Sequence, residues 1–272
     1  QLLLGTEKMT MTRLNAIEMG HGPVQLVFAH GVFGQGRNFG NVAKLLADQT
    51  TSVLLDLPNH GRSPWTDSFD FDLFADLVAD ELRARGAQEA PITLVGHSMG
   101  GKVAMRLALR HPELLSRLVV ADMSPVARSG NDDFQSLIDS LLSLDLDRLA
   151  SRRDADNALA EKIPNTAVRA FLLQNLHRGT SGDGWQWLAN LGLLQRSVDK
   201  LIDWPPISGQ WDGPVLWLRG ENSDHVQPGD EAIMRDYFPA ADLVTIPDAG
   251  HWLHADQPQA VAQAIGEFIS RS

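Results

Sequence analysis

The segment Gly96-His97-Ser98-Met99-Gly100 constrains the fold of this chain more than any other stretch. Residues 91–95 precede it as an apolar run that predicts a short buried strand, and residues 102–110 follow it with a helical pattern. A Gly-x-Ser-x-Gly sequence between a strand and a helix is typical of the nucleophile elbow, a sharp turn that exposes a serine above a sheet. Side chains at the two glycine positions would collide with neighbouring backbone in such a turn. The segment therefore predicts a strand–turn–helix unit with Ser98 as a candidate nucleophile, the alternative being a glycine-rich loop with a chance serine.

Strand and helix patterns alternate along most of the chain. Amphipathic helix patterns separate apolar runs that predict further strands, and residues 9–19 predict one or two strands at an edge of the sheet. Such alternation indicates an α/β fold with a mostly parallel central sheet and helices on both faces. The apolar runs that predict the further strands are residues 24–29, 52–56, 118–122, 213–220 and 242–247.

The alternation stops between about residues 125 and 210. This block contains helical patterns and no convincing strand pattern, so it predicts an all-helical insertion. An insertion after a sheet strand is expected to cover the carboxyl ends of the strands, where open α/β sheets bind their ligands. The sequence thus predicts a core domain of residues 9–125 and 207–272, with a helical cap over residues 126–206.

Composition narrows the class of protein. The chain has 272 residues, 43% of them hydrophobic and 21% charged, which is typical of a globular protein with a large core. A net charge of −11 argues against nucleic acid or an anionic membrane surface as the main partner. The chain has no cysteine, no apolar run of membrane-spanning length, and no clear signal peptide in residues 1–8. We therefore expect a cytoplasmic protein with a small-molecule substrate. The sequence does not indicate whether the protein is a monomer or an oligomer.

A nucleophilic serine needs a base, an acid that orients the base, and N–H donors for the oxyanion. His251 is the candidate base because it follows the last predicted strand on a loop beside a glycine. The N–H of Met99 begins the elbow helix and is one candidate oxyanion donor. The glycine-containing loop 30–34, after an early strand, supplies the second donor from Val32, with Phe33 as the neighbouring alternative.

The sequence predicts neither a metal site nor a cofactor. Most of the nine histidines are expected to be structural, and His97 is expected to support the elbow through packing or hydrogen bonding. His254 lies three residues after His251, but no further ligand cluster in the sequence accompanies this pair. The chain also has no phosphate-binding loop, so its own side chains are expected to carry the chemistry.

These motifs resemble those of the α/β-hydrolase superfamily, and within it those of the YbfF-type serine esterases and related mitochondrial abhydrolase-domain proteins. The resemblance covers nearly the whole chain from about residue 24. It includes part of the cap, which varies more than the elbow and therefore indicates a branch of the superfamily. The matching segments are residues 30–34, 59–63, 96–102, 122–126, 168–176 and 249–256.

The resemblance leaves two candidates for the acid. In the wider superfamily the acid follows the strand after the cap, and Asp224 stands at that position. In the YbfF-type branch the strand before the cap supplies it, and Asp122 matches. A carboxylate at either strand end could reach the histidine, so both remain candidates, with Asp122 slightly favoured.

The resemblance implies a cofactor-free serine carboxylesterase that hydrolyses small, mainly uncharged acyl esters through an acyl-enzyme. Four cap residues are candidates for substrate contact, although each could instead pack the cap on the sheet: Phe171, Leu172, Trp185 and Trp187. Thioesterase, lactonase and perhydrolase activities use the same catalytic groups and remain alternatives. A non-catalytic ligand-binding protein of the same fold is the alternative from another class, and the presence of Ser98 and His251 argues against it.

Overall fold

A seven-stranded sheet forms the centre of the residues that the computed structural model describes, which are 13–129, 132–180 and 182–271. Its strands are β1 (Ala16–Gly20), β2 (Val24–Ala29), β3 (Thr50–Leu55), β4 (Ile92–His97), β5 (Leu115–Ala121), β8 (Val215–Gly220) and β9 (Ala241–Ile246), while β6 (Leu176–Arg178) and β7 (Trp185–Trp187) form a separate pair. The strand order is β1-β3-β2-β4-β5-β8-β9, and only β1 runs antiparallel to its neighbour. The predicted mostly parallel sheet is therefore confirmed, and of the predicted edge segment residues 9–12 lie outside the described residues.

Helices cover both faces of this sheet, as the alternating pattern predicts. They are α1 (Gly40–Leu45), α2 (Phe71–Ala84), α3 (Met99–Arg110), α4 (Asp132–Leu142), α5 (Arg152–Leu159), α6 (Thr166–Leu173), α7 (Leu191–Gln195), α8 (Val198–Ile202), α9 (Glu231–Tyr237), α10 (Leu253–Asp256) and α11 (Pro258–Ile269). Consecutive residues of β2 point to opposite faces of the sheet: Val27 packs on the side of α2 and α3, and Phe28 packs on the side of α1 and α11. Burial on both faces explains why the strands are continuous apolar runs. Within the described ranges, no helix has the length and hydropathy needed to cross a bilayer.

The predicted elbow lies between β4 and α3. Ser98 alone separates the two elements, and its backbone has φ 54° and ψ −121°, a conformation that residues with side chains rarely adopt. A Cβ atom at Gly96 would lie 2.3 Å from the carbonyl oxygen of Gly100, and one at Gly100 would lie 2.3 Å from that of Ala29. Glycine at both positions therefore allows the start of α3 to contact β4 and β2 directly, and this contact raises Ser98 above the sheet.

The prediction of an all-helical cap is wrong in one part. Residues 126–206 contain an antiparallel pair, β6 and β7, in which Leu176 faces Trp187 and Arg178 faces Trp185. Tryptophans on either side of a glutamine give the period of two that is typical of a strand, a signal that is short beside the helical patterns of this block. The chain reverses between the two strands near Gly182 and Gly184, whose positive φ values are accessible to glycine. The division into core and cap stays a prediction. Residues 126–206 are called the cap.

Two basic side chains of α3 hold the C-terminal end of the cap. Lys102 Nζ donates to the carbonyl oxygen of Asp203 at 2.7 Å, and Arg106 Nη1 donates to that of Pro205 at 2.7 Å. Burial lowers the pKa of Lys102 to about 8. These charge-assisted hydrogen bonds fix the cap relative to the helix that begins at Ser98.

Replacing Gly100 with alanine tests the close contact at the elbow. We expect Gly100→Ala to lower the free energy of unfolding by roughly 3 kcal/mol or more, because the new Cβ would overlap the carbonyl oxygens of Ala29 and His30, which cannot move independently. Gly40→Ala is the matched control, since a Cβ there meets no atom of the described residues within 4 Å. The control should change stability by less than about 1 kcal/mol, in the stabilising direction. Urea unfolding measures both, and equal stabilities of the two variants would contradict the proposed steric role.

Candidate active site

Ser98, Asp122 and His251 meet at the carboxyl edge of the sheet. Ser98 follows β4, Asp122 follows β5, and His251 lies on the loop between β9 and α10. His251 Nε2 lies 2.9 Å from Ser98 Oγ, and His251 Nδ1 lies 2.7 Å from Asp122 Oδ2. With a proton on Nδ1, the ring donates to the carboxylate and can accept the serine proton at Nε2. This arrangement can convert the serine hydroxyl into a nucleophile.

Asp122 is fully buried, and hydrogen-bond donors surround its carboxylate. Oδ1 accepts from the N–H of Gly220 at 3.0 Å, and Oδ2 accepts from Ser223 Oγ at 2.5 Å as well as from His251. These donors compensate for removing the charge from water. Asp224, the other sequence candidate, has 96% of its side chain exposed and lies 3.8 Å from the Nδ1 atom of His225. The geometry therefore favours Asp122 over Asp224 as the partner of His251.

His225 is a site residue that the sequence analysis missed. Its ring stacks on that of His251, with centroids 3.6 Å apart and planes 12° from parallel. Its Nδ1 lies 3.3 Å from Ser223 Oγ and 3.9 Å from Asp122 Oδ2. Burial, with the nearby charge of His251, lowers the pKa of His225 to about 4 and keeps the ring neutral at pH 7. The only signal in the sequence is its place beside Asp224, after the strand that follows the cap.

Two further histidines support the loop that carries His251. His97 Nε2 lies 2.7 Å from the backbone oxygen of His251 and donates to it, which confirms the predicted supporting role of His97. The His254 ring packs 4.6 Å from the His97 centroid and 4.6 Å from the Phe39 centroid. Burial lowers the pKa of His97 well below its ordinary value and that of His254 to about 3. Both rings therefore stay neutral, and they position the loop without adding positive charge.

The loop 30–34 lies directly beside the elbow. A Cβ atom at Gly31 would be 3.1 Å from Ser98 Cβ, so the loop backbone approaches the serine closely. His30 holds the loop from one side, because its Nδ1 lies 2.7 Å from the carbonyl oxygen of Gly31. Asn175 of the cap holds it from the other side and donates from Nδ2 to the carbonyl oxygen of Phe33 at 2.8 Å. Phe33 has φ 62°, a strained conformation that these contacts maintain.

Two cavities meet at the serine, and Ser98 and Val32 line both. The first has a volume of about 290 Å³, and hydrophobic side chains dominate its wall. The second has a volume of about 270 Å³ and includes the polar side chains of Lys102, Arg128 and Gln227. Met99 lines the second cavity as the first residue of α3, where its N–H has no acceptor within the helix. Both residues predicted to supply oxyanion donors, Val32 and Met99, thus line the second cavity together with Ser98.

The cap contributes two of its four predicted contact residues to the first cavity. Phe171 and Leu172 line it. Trp185 and Trp187 line neither cavity in the described part of the chain, because β7 holds them within the cap. Trp185 Nε1 donates to the carbonyl oxygen of Leu149 at 2.8 Å, and the Arg178 guanidinium lies 4.9 Å from its ring centroid. The positions of these two tryptophans do not fit contact with a substrate. They fit the alternative, in which both side chains pack within the cap.

Comparison with known proteins identifies similar sequences and a similar structure. A family model described as "Alpha/beta hydrolase family" matches residues 26–264. The "sn-1-specific diacylglycerol lipase ABHD11" of Mus musculus is 36% identical over 251 residues, covering 90% of this chain and 80% of the mouse protein. The "Esterase YbfF" of Escherichia coli (strain K12) is 29% identical, covering 95% of this chain and 98% of that protein. A solved structure titled "Marine microorganism esterase" has a TM-score of 0.90 at 32% identity, covering 94% of this chain and 99% of its own.

The buried neutral histidines predict that the protein loses stability in mild acid. His254 has a folded pKa of about 3 against an ordinary value of 6.5, so below pH 6.5 the unfolded chain binds a proton that the folded protein does not. The free energy of unfolding should therefore be highest above pH 6.5 and should fall as the pH decreases towards 4. His254→Phe removes one of these protons from the difference between the two states. The slope of the free energy of unfolding against pH should therefore decrease by about 1.4 kcal/mol per pH unit.

Urea unfolding at several pH values between 4 and 8 measures this slope. His21→Phe is the control, because that side chain is 75% exposed, and its slope should match that of the unmodified protein. Parallel stability curves for His254→Phe and the unmodified protein would contradict the assignment.

Proposed function

This chain belongs to the alpha/beta hydrolase family and hydrolyses ester bonds, and we propose that it does so as a serine carboxylesterase of small, mainly uncharged acyl esters. The observation that carries the proposal is the position of His251, 2.9 Å from Ser98 Oγ and 2.7 Å from Asp122 Oδ2. The names of the mouse lipase, the bacterial esterase and the marine esterase support an ester substrate.

The proposed reaction has two stages that use the same groups. Ser98 Oγ attacks the ester carbonyl while His251 Nε2 removes its proton, and Asp122 stabilises the imidazolium. The N–H groups of Val32 and Met99 donate to the oxyanion of the tetrahedral intermediate. His251 then protonates the departing alcohol, which leaves an acyl-enzyme on Ser98. Water that transfers its proton to His251 attacks this ester, and the acid is released.

The two cavities support a division of the substrate at the serine. The first cavity has an apolar wall that includes Phe134, Val168 and Phe171, and this wall suits an uncharged acyl group. Its volume of about 290 Å³ is at the lower end of the range for ligand pockets, which favours a small group. The second cavity is more polar and would accept the alcohol.

Other parts of the proposal rest on the sequence. Because the chain itself supplies the nucleophile, base and acid, we propose that turnover needs no cofactor. We also propose that the protein is cytoplasmic and that residues 126–206 form a cap on the core.

Replacing Ser98 tests the nucleophile. We expect Ser98→Ala to lower turnover of nitrophenyl esters more than about a thousandfold and to abolish labelling by a fluorophosphonate, because no hydroxyl remains to form the covalent adduct. For the unmodified protein, turnover should be highest with short, uncharged acyl chains. Urea unfolding confirms that the variant is folded. Residual activity above a thousandth, or a preference for long or anionic acyl groups, would contradict the corresponding part of the proposal.

Comparing the two aspartates tests the acid. We expect Asp122→Asn to lower kcat by several orders of magnitude, because an amide neither holds the required tautomer of His251 nor stabilises the imidazolium; the corresponding change in a serine protease lowers kcat about ten-thousandfold. Asp224→Asn should lower kcat by on the order of tenfold or less, since that side chain is 96% exposed. Thermal unfolding checks that each variant is folded, and the opposite ranking would move the acid to Asp224.

A further inference from the structure

The proposed reaction assigns no step to His225, although its ring lies flat on that of the base. The centroids of the His225 and His251 rings are 3.6 Å apart, and the ring planes are 12° from parallel. The rings of His97 and Trp252 contact His251 at 4.8 Å and 6.3 Å, with tilts of 41° and 50°. Among the described residues, His225 therefore makes the closest and most parallel ring contact with the base.

We propose that His225 is a positioning residue, whose stacked ring holds His251 in the orientation that hydrolysis of the acyl-enzyme requires. This role rests on the proposed function, because it concerns the second stage of the serine esterase reaction. It predicts that loss of the ring slows deacylation more than acylation.

The restraints on His251 differ between the two stages. Before acylation the ring has a partner at each nitrogen, Asp122 Oδ2 at 2.7 Å and Ser98 Oγ at 2.9 Å. In the acyl-enzyme Ser98 Oγ is an ester oxygen without a hydrogen to donate, so the hydrogen bond at Nε2 is lost. The single bond at Nδ1 lets the ring tilt, and the face of His225 blocks that tilt on one side. Deacylation therefore depends on the stack more than acylation does.

Deacylation needs Nε2 of His251 at a defined position. The oxygen of a water molecule bonds to the acyl carbon while one of its protons passes to Nε2. The bond between that carbon and Ser98 Oγ then breaks, and Nε2 returns the proton to Oγ, which releases the free acid. A tilted ring moves Nε2 away from the water, and a displacement of about 1 Å can lower such a rate about a hundredfold.

The loop that carries His225 is held independently of the base. Arg128, in the cap, donates to the backbone oxygen of His225 at 3.1 Å. The backbone N–H of His225 donates to Ser223 Oγ at 3.3 Å, and Ser223 Oγ donates in turn to Asp122. Contacts with both the cap and the end of β5 thus fix the backbone of His225, so its ring can serve as a support.

The neutral state of His225 suits this position. Its Nδ1 lies 3.9 Å from Asp122 Oδ2 and 3.8 Å from Asp224 Oδ1, while Arg128 contacts its backbone from the cap. Burial, with the nearby charge of His251, outweighs these carboxylates and lowers the pKa of His225 to about 4. The face of a neutral ring attracts the imidazolium that forms on His251 when water gives up its proton, whereas a charged ring would repel it.

Burst kinetics with a nitrophenyl ester separate the two stages. Acylation releases nitrophenol at once, and further release waits for deacylation, so slow deacylation gives a burst that approaches one equivalent of enzyme. We expect His225→Ala to slow the steady rate about tenfold or more while the burst remains. Mass spectrometry should then detect the acyl group on Ser98. His21→Ala removes a side chain that is 75% exposed and should give the kinetics of the unmodified protein.

A structural defect gives a different result. If His225→Ala only damaged the fold, fewer molecules would be active and the burst itself would shrink without accumulation of the acyl-enzyme. That outcome, or an equal slowing of the burst and the steady phase, would overturn the proposal.

Two further variants distinguish stacking from hydrogen bonding. His225→Phe keeps a flat neutral ring without Nδ1 and should bring the deacylation rate to within about threefold of that of the unmodified protein. His225→Asn keeps a polar nitrogen near Ser223 without a ring and should be as slow as His225→Ala. Rescue by asparagine and not by phenylalanine would overturn the proposal. Thermal unfolding checks that each variant is folded, and the phenylalanine–asparagine comparison decides the matter if His225→Ala does not fold.

Fluorophosphonate labelling tests the proposed function separately. If the unmodified protein is labelled at Ser98 and hydrolyses esters but His225→Ala deacylates at the same rate, the role of His225 fails and the proposed function stands. If the unmodified protein is neither labelled nor active, the proposed function fails, and the role of His225 fails with it.

Discussion

The buried carboxylate of Asp122 is the interaction on which the rest of the site depends. It accepts hydrogen bonds from Gly220, Ser223 and His251, so one charge holds the ends of β5 and β8 together with the loop after β9. An unpaired charge at this depth would be strongly unfavourable, and each of these segments must therefore keep its donor in place. The orientation of the His251 ring is a consequence of that requirement, because the ring is one of the donors.

A layer of uncharged imidazoles supports this arrangement. His97 and His254 pack beneath the loop of His251, and His225 stacks on its ring. Burial lowers the pKa of all three, so positive charge develops on His251 without repulsion from its neighbours at neutral pH. The same burial that keeps these rings neutral makes the folded state sensitive to acid, because the unfolded chain binds protons that the folded protein does not.

The sequence predicted the parts of this molecule that follow from local pattern. The alternation of strands and helices, the turn at Ser98 and the position of His251 after the last strand all reflect periodicity or backbone constraints that short segments carry. The paired strands of the cap were missed because each is only three residues long, as in Leu176–Arg178. His225 was missed because its role comes from a ring contact across two loops, which neither spacing nor composition records. The choice between two acids needed the same information, namely which strand end approaches His251 in space.

The hydrogen bond from Asn175 to the carbonyl oxygen of Phe33 has a mechanical consequence. It joins the segment that covers the first cavity to the loop that carries one of the two proposed oxyanion donors. Any excursion that lifts this segment must break the bond and release the strained backbone at Phe33, where φ is 62°. Opening the path to Ser98 and displacing the oxyanion donor of this loop are thus coupled. A form of the protein in which the cap segment is lifted and solvent enters would therefore also be the less competent catalyst.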